Sequence, residues 1–285
     1  MPASDLTIIH LSELHYHAEG TRHLEHLDSH AEALNTLEHL RRYAPRPSLF
    51  VITGDLVMGL RNAEVGYPRV KQLVEQMAAE FEVPVLLALG NGDTNEPFRR
   101  IVLGEAAPVS SSRYFHSHVV DGLKIIVLDS HADGEHFGDF DDEQLAWLSA
   151  ELSASPEMDF ILAFHHPPGN VVFGRDHEDV INAPRLAEVI AGHNVIGILN
   201  GHFHKSYLSN FAGVPVAITK GTSTTITWSH EQQMIHERTG GGYNIVHVRD
   251  RRMHVSFIDV TSERPTLRWE DPRWHEMKAE RLARE

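Results

Sequence analysis

The sequence predicts an α/β fold with two packed sheets, on three observations. Short apolar runs alternate with longer segments of helical periodicity, the pattern of β-α units. After residue 205 the chain changes to strands and turns, which implies a second sheet lying on the first and not a separate domain. The 285 residues suffice for a sizeable core, and 41% apolar with 23% charged residues is an ordinary globular balance.

Each element has a local reason. Leu6 to Leu11 reads as a buried strand. Ser29-His30-Ala31-Glu32 has the form of a capping box, with Ser29 bonding an amide of the first turn and Glu32 reaching back. Leu34, Leu37 and Leu40 then mark one helical face, and Pro45 and Pro47 end the helix. Leu49 to Thr53 is the second strand, Val70 to Phe81 a helix and Val85 to Leu89 the third strand. Arg113 to Val120 and Leu123 to Leu128 form a hairpin about Asp121-Gly122, a pair suited to a tight turn. Asp141 caps the next helix, with Phe140 stapled onto Leu145. Phe160 to Phe164 and Val195 to Leu199 are strands separated by a helix that opens near Pro184. Val214 to Thr219, Thr222 to Trp228, Tyr243 to Val248 and Met253 to Ile258 follow as strands. Trp228 to Gly242 reads either as a lid near a site or as a long hairpin loop, and Arg273 to Arg284 as a charged terminal helix.

Composition removes several function classes. Forty acids against 25 Lys plus Arg give a net charge of −15, so an extended hold on nucleic acid is not expected. Cysteine is absent, which excludes disulfides, thiolate metal sites and a Cys nucleophile. No run approaches the roughly 20 apolar residues of a membrane span. The first residues lack a basic segment followed by an apolar one, so the expectation is a cytoplasmic protein without a membrane partner.

The distinctive feature is the placing of some of the 22 histidines. Five strand-like runs each end in ligand-type residues: Glu13-Leu14-His15, Gly54-Asp55, Gly90-Asn91-Gly92-Asp93, His165-His166-Pro167-Pro168 and Asn200-Gly201-His202-Phe203-His204. In open α/β sheets, sites form outside the carboxyl ends of strands. Carboxylate and amide oxygens mixed with imidazoles suit Mn, Fe, Zn or Co better than Ca or Mg. Seven or eight ligands are enough for two ions sharing one carboxylate. His23, His26, His30 and His39 sit at mixed helical spacings and read as a solvated face.

In this order the five motifs resemble those of the calcineurin-like metallophosphoesterase superfamily. Leu128-Asp129-Ser130, Gln144-Leu145-Ala146-Trp147-Leu148 and His165-His166-Pro167-Pro168 resemble its class III cyclic nucleotide phosphodiesterase branch. The resemblance covers roughly residues 6 to 260 and implies a four-layer α/β/β/α sandwich, with a catalytic domain over 1–260 and a charged extension over 261–285. It implies two divalent metal ions bridged by Asp55. Glu13, His15 and His204 complete one site; Asn91, His165 and His202 complete the other. Asp55, Asn91 and His165 are then the catalytic core. The implied reaction is attack on the phosphorus of a small phosphodiester, of cyclic nucleotide or glycerophosphodiester type, by a hydroxide the ions hold. A homodimer is the assembly expected by analogy.

Two positions depart from the pattern. Glu13 stands where the family has Asp, and Gly92 where it has the His of Gly-Asn-His. The missing imidazole predicts a slow enzyme, a substitute histidine or a substrate with a good leaving group; His17, His131 and His136 are the candidate substitutes. A histidine introduced at position 92 is expected to fit without a clash. Asp93 is expected to orient neighbouring groups and His166 to stand behind the ligands. Two alternatives stay open: a binding or scaffold protein that kept the fold, and a nuclease of the same superfamily.

Overall fold

The runs Leu49–Thr53, Val85–Ala88, Leu123–Val127 and Asp159–Ala163 are apolar at every position but at most one, so both faces of each must be buried. The computed structural model, which describes residues 5–17, 28–107, 109, 112–132, 134–169, 179–229 and 234–260, meets this demand by stacking two sheets between helices. The strands are β1 (Leu6–Leu11), β2 (Leu49–Thr53), β3 (Val85–Ala88), β4 (His116–Val120), β5 (Leu123–Val127), β6 (Asp159–Ala163) and β7 (Val195–Asn200). They continue with β8 (Tyr207–Phe211), β9 (Val214–Ile218), β10 (Thr224–Ser229), β11 (Met234–Thr239), β12 (Gly242–Arg249) and β13 (Arg252–Asp259). The first sheet has the order β13-β12-β1-β2-β3 and the second β4-β5-β6-β7-β9-β8. β1, β2 and β3 are parallel, as are β5, β6, β7 and β9, so ligand-bearing loops leave each sheet at one edge.

The period-2 alternation of each strand assigns its side chains to layers. Ile9, Leu11, Phe50 and Ile52 face out against helices α1 (Ser29–Tyr43) and α2 (Ala63–Phe81). Ile8, Val51 and Leu86 face in and meet Ile125, Ile161 and Leu199 of the second sheet. Ile126, Phe160 and Leu162 face out against α4 (Asp142–Ser153) and α5 (Ala183–Ile190). The result is the expected α/β/β/α order, but the strands after residue 205 do not make up the second sheet: β8 and β9 join its edge, while β12 and β13 extend the first sheet beside β1. A short α3 (Asn95–Phe98), continued by a wider turn over Arg99–Leu103, lies beyond what the sequence reading assigned.

Several local readings shift. Asp28, not Ser29, caps α1: its carboxylate accepts from the amides of His30 and Ala31. A carboxylate there also complements the helix dipole. The Ser29 hydroxyl instead donates to the carbonyl of His15 at 2.9 Å. Leu34 is 40% exposed, and the buried stripe is Ala33, Leu37 and Leu40, spaced for one face. α2 begins seven residues before Val70 and carries Pro68 inside its second turn. Asp141 does cap α4, accepting from Gln144 N at 2.8 Å. Asp121 and Gly122 both have positive φ, as a type I′ hairpin needs. In place of a lid or a plain loop, the Trp228–Gly242 stretch contains the end of β10 and all of β11, which pair antiparallel as a two-stranded ribbon outside both main sheets, and Gly242 already opens β12. β8 was not anticipated. Tyr243 Oη holds His39 at 3.0 Å, so that histidine is not simply solvated. The expected terminal helix over Arg273–Arg284, like the readings on His23, His26 and His230, lies outside the described residues.

Candidate metal centre

The site is built where the strand-end loops cross-bond. Beyond β1 the chain runs alongside the continuation of β2: Glu13 N donates to Gly54 O, His15 N to Asp55 O and Tyr16 N to Leu56 O, at 2.9 to 3.1 Å. Glu13, His15, Asp55, His202 and His204 all have φ between 46° and 72°. That left-handed region costs a non-glycine residue about 1–2 kcal/mol. Strain gathered on five ligand-type residues is the signature of a site that the surrounding hydrogen bonds enforce.

Two clusters result. In one, the Nε2 atoms of His15 and His204 lie 3.1 Å apart, and each is 3.1 Å from Glu13 Oε2. In the other, His165 Nε2 is 3.2 Å from Asn91 Oδ1 and 3.2 Å from His202 Nδ1. Asp55 stands between them. Its Oδ2 is 3.5 Å from His15 Nε2 and its Oδ1 3.5 Å from His165 Nε2. Every candidate ligand except Asn91, which is partly exposed, is buried.

Backbone and hydroxyl groups fix these side chains. His165 Nδ1 donates to Thr53 O at 2.7 Å, turning Nε2 to the cluster. His204 Nδ1 pairs with Thr224 Oγ1 at 2.6 Å. Glu13 Oε1 accepts from Ser12 Oγ at 2.9 Å and from His202 N, which commits that oxygen and presents Oε2. The extra methylene of Glu13 is accommodated because Gly201 has no side chain; a Cβ there would stand 2.6 Å from Glu13 Oε1. Thr53, Thr224, Ser12 and Gly201 were not singled out from the sequence. A backbone carbonyl carries no side-chain signature, and Thr224 lies twenty residues beyond its partner.

The remaining predicted residues occupy distinct places. Asp93 accepts from the amides of Leu56 and Gly90 and from Tyr67 Oη. Burial and the neighbouring Asp55 charge push its carboxyl up to about 7, against those amide bonds. His166 is fully buried against His165 and His202, with Nδ1 2.9 Å from Ser130 Oγ. His17 is turned to Ser29 Oγ and the His15 carbonyl. His131 is buried beyond Asp129, whose carboxylate accepts its amide. His136 is exposed, with Nδ1 3.4 Å from Asn91 Nδ2. Of the three candidate substitutes, only His136 has a described contact with Asn91.

Gly92 contradicts its expectation. A Cβ at position 92 would lie 2.6 Å from the Val57 carbonyl oxygen and 3.2 Å from Asp55 Oδ1. The turn cannot easily retreat, since Gly92 N donates to Asp55 Oδ1 at 2.7 Å and Gly92 O accepts from Gly59 N at 3.0 Å. A histidine at this position therefore clashes.

The electrostatics follow from burial of mixed charges. Burial pushes the Glu13 carboxyl up, but the imidazoles of His165, His204 and His15 outweigh it and hold it well below the usual range. Burial depresses His15, yet Glu13, Asp55 and Asp93 overcome that and raise it to about 9. These groups are mutually compensating only with a cation or protons among them. Metal bonds of about 2.0–2.2 Å set neighbouring ligand atoms roughly 3 Å apart, close to the spacings seen here. Glu13 Oε2 is buried with no aligned donor despite two imidazoles at 3.1 Å, as expected of an oxygen placed for an ion. Among the described residues, Glu13-His15-His204, Glu13-Asp55-His165 and His165-His166-His202 each bring ligand atoms within 4.8 Å. The donor set fits divalent transition ions.

Comparison with known proteins agrees with this geometry. The family model described as calcineurin-like phosphoesterase matches residues 6–206. The chain is 36% identical to a protein of Rhodococcus erythropolis named as a probable cyclic nucleotide phosphodiesterase, over 89% of this chain and 83% of that one. It is 32% identical to a cAMP/cGMP dual specificity phosphodiesterase of Mycobacterium tuberculosis, over 87% and 77% respectively. It is 28% identical to a protein of Arcobacter nitrofigilis named as a probable glycerophosphodiester phosphodiesterase, over 70% and 72%. Among solved structures, a dimetal phosphatase from Danio rerio superposes with a TM-score of 0.64 at 15% identity, covering 92% of this chain and 98% of that one, which bears on the fold alone. With the matched segment holding all five strand-end motifs, the chain belongs to the calcineurin-like phosphoesterase family.

Proposed function

We propose that this chain is a cytoplasmic, metal-dependent phosphodiesterase acting on small phosphodiesters, with residues 1–260 as its catalytic domain. The observation that carries the reading is the orientation of Asp55, which turns one carboxylate oxygen to each cluster at 3.5 Å. In this reading Asp55 would be shared by two divalent ions; Glu13, His15 and His204 would hold one, and Asn91, His165 and His202 the other. Such a pair, when bound, lowers the pKa of a water towards neutrality and offsets charge on the phosphate oxygens.

The chain's own residues supply orientation. With Oδ1 of Asn91 turned to His165 and one Nδ2 hydrogen toward His136, the second Nδ2 hydrogen would donate to a phosphate oxygen. The carbonyl of Thr53 and the hydroxyl of Thr224 fix which nitrogen of His165 and of His204 faces inward. Gly92 leaves no imidazole over Asp55, and His136, beside Asn91, is the proposed proton donor to the leaving oxygen. The names of the relatives support cyclic nucleotides or glycerophosphodiesters as the substrate class. No observation favours a scaffold or a nuclease, and no described helix is long and apolar enough to cross a membrane.

The test is turnover by protein stripped with chelator and reloaded with Mn²⁺. Bis(p-nitrophenyl) phosphate, cyclic AMP and a glycerophosphodiester are expected to be cleaved faster than p-nitrophenyl phosphate. Two bound ions without turnover of any diester would overturn the reading. Assembly as a homodimer is a separate proposal that sedimentation velocity decides.

A further inference from the structure

His166 packs directly against His165 and His202, and the reading above gives it no role. It is fully buried, and its Nε2 has no hydrogen-bond partner. A buried nitrogen left without a hydrogen bond is costly, so a ring left this way calls for an occupant. Its other nitrogen, Nδ1, lies 2.9 Å from Ser130 Oγ. That hydroxyl already accepts the backbone amide of His166 at 3.2 Å. The ring is therefore fixed at one nitrogen, in the manner of a metal-ligating histidine whose far nitrogen is anchored.

Its surroundings fix its position further. The ring centroid lies 4.5 Å from that of His202 and 4.8 Å from that of His165, and all three offer a nitrogen within 4.8 Å of the others. Gly138 presses on it from behind: a Cβ there would stand 2.7 Å from His166 Cβ and 2.9 Å from Nδ1. The bridges of Gly138 to His131 and to Val180 hold that backbone in place. The ring cannot swing away from His165 and His202 without breaking these contacts.

We propose that His166 is a third imidazole ligand, through Nε2, of the cation held by His165 and His202. The inference rests on the two-ion reading. It makes the two sites chemically unequal. One is built from Glu13 with two imidazoles, the other from three imidazoles with the Asn91 amide and a share of Asp55. The nitrogen-rich site then prefers Zn²⁺ or Co²⁺ over Mn²⁺, whereas the carboxylate-bearing site discriminates less.

The experiment titrates metal-free protein with Co²⁺, following the visible ligand-field bands, in wild type and in His166→Phe, whose ring keeps the packing against Gly138. Wild type is expected to take two equivalents. The variant is expected to keep one ion at wild-type affinity, to bind the other more than 100-fold more weakly, and at saturation to show an altered band for that ion. A saturated variant spectrum that superimposes on wild type would overturn the proposal, even with weaker binding, because a residue that merely supports a ligand changes affinity by about 10–100-fold without leaving the coordination sphere. Should the variant not fold, a crystal structure of Co²⁺-loaded wild type decides it: Nε2 about 2.0–2.2 Å from the ion supports the assignment, and Nε2 bonded to a water overturns it. Fewer than two equivalents in wild type would count against the two-ion reading itself, a different outcome from either.

Discussion

Replacing Gly92 by histidine restores the residue that the family motif has at this position, yet the structure predicts damage and not gain. The new Cβ would stand 2.6 Å from the Val57 carbonyl, a contact with backbone that no rotamer relieves. Relief requires moving the 90–93 turn, which is tied by Gly92 N to Asp55 and by Gly92 O to Gly59 N. Overpacking of this kind costs about 1–3 kcal/mol. For a domain of this size each kcal/mol lowers Tm by roughly 2–4 °C, so the expected fall is roughly 2–12 °C. The displaced turn carries Asn91 and releases a bond to Asp55, so both diester and monoester turnover should fall together. Differential scanning calorimetry and parallel assays on bis(p-nitrophenyl) phosphate and p-nitrophenyl phosphate test this. An unchanged Tm with a raised monoester rate would refute the steric argument.

Further outcomes follow from the same geometry. Asp55→Asn should abolish turnover and strip at least one ion, measured by metal analysis after gel filtration. Thr224→Val, which leaves His204 Nδ1 without its hydroxyl at 2.6 Å, should weaken metal binding about 10–100-fold by chelator competition. His136→Asn should lower turnover of a cyclic nucleotide about 10²-fold while sparing a p-nitrophenyl diester, whose leaving group needs no proton. Burial holds His10 neutral, with its pKa down to about 3. The unfolded chain takes up that proton near pH 6.5 and the folded one does not. Stability is therefore full above 6.5 and falls by about 1.4 kcal/mol per unit as pH drops towards 3. His10→Asn should flatten that part of the urea-stability profile between pH 6 and 5.

The sequence carried the layer order and the gathering of the candidate ligand residues because both follow from local rules. Runs such as Leu49–Thr53, apolar but for Thr53, need two buried faces, and the polar residues that follow them sit where parallel strands end. It carried less where the decisive partner is distant or is backbone. The obstruction at Gly92 comes from a carbonyl thirty-five residues earlier, and the anchor of His165 is the carbonyl of Thr53. The Asp28 cap was missed because Ser29 and Glu32 satisfy a capping box on paper, and only the chain path shows Ser29 engaged with His15. β8, with Tyr207, Ser209 and Phe211 half-buried and no apolar run, has the weak pattern of an edge strand.

The central claim is that Asp55 lies between two cations. Anomalous diffraction from crystals of Mn²⁺-loaded wild-type protein measures this most directly. The account predicts two peaks about 3.5–4 Å apart, one beside His15 and His204 and one beside His165 and His202, with an oxygen of Asp55 turned to each. A single peak away from Asp55, or none at saturating Mn²⁺, would contradict it.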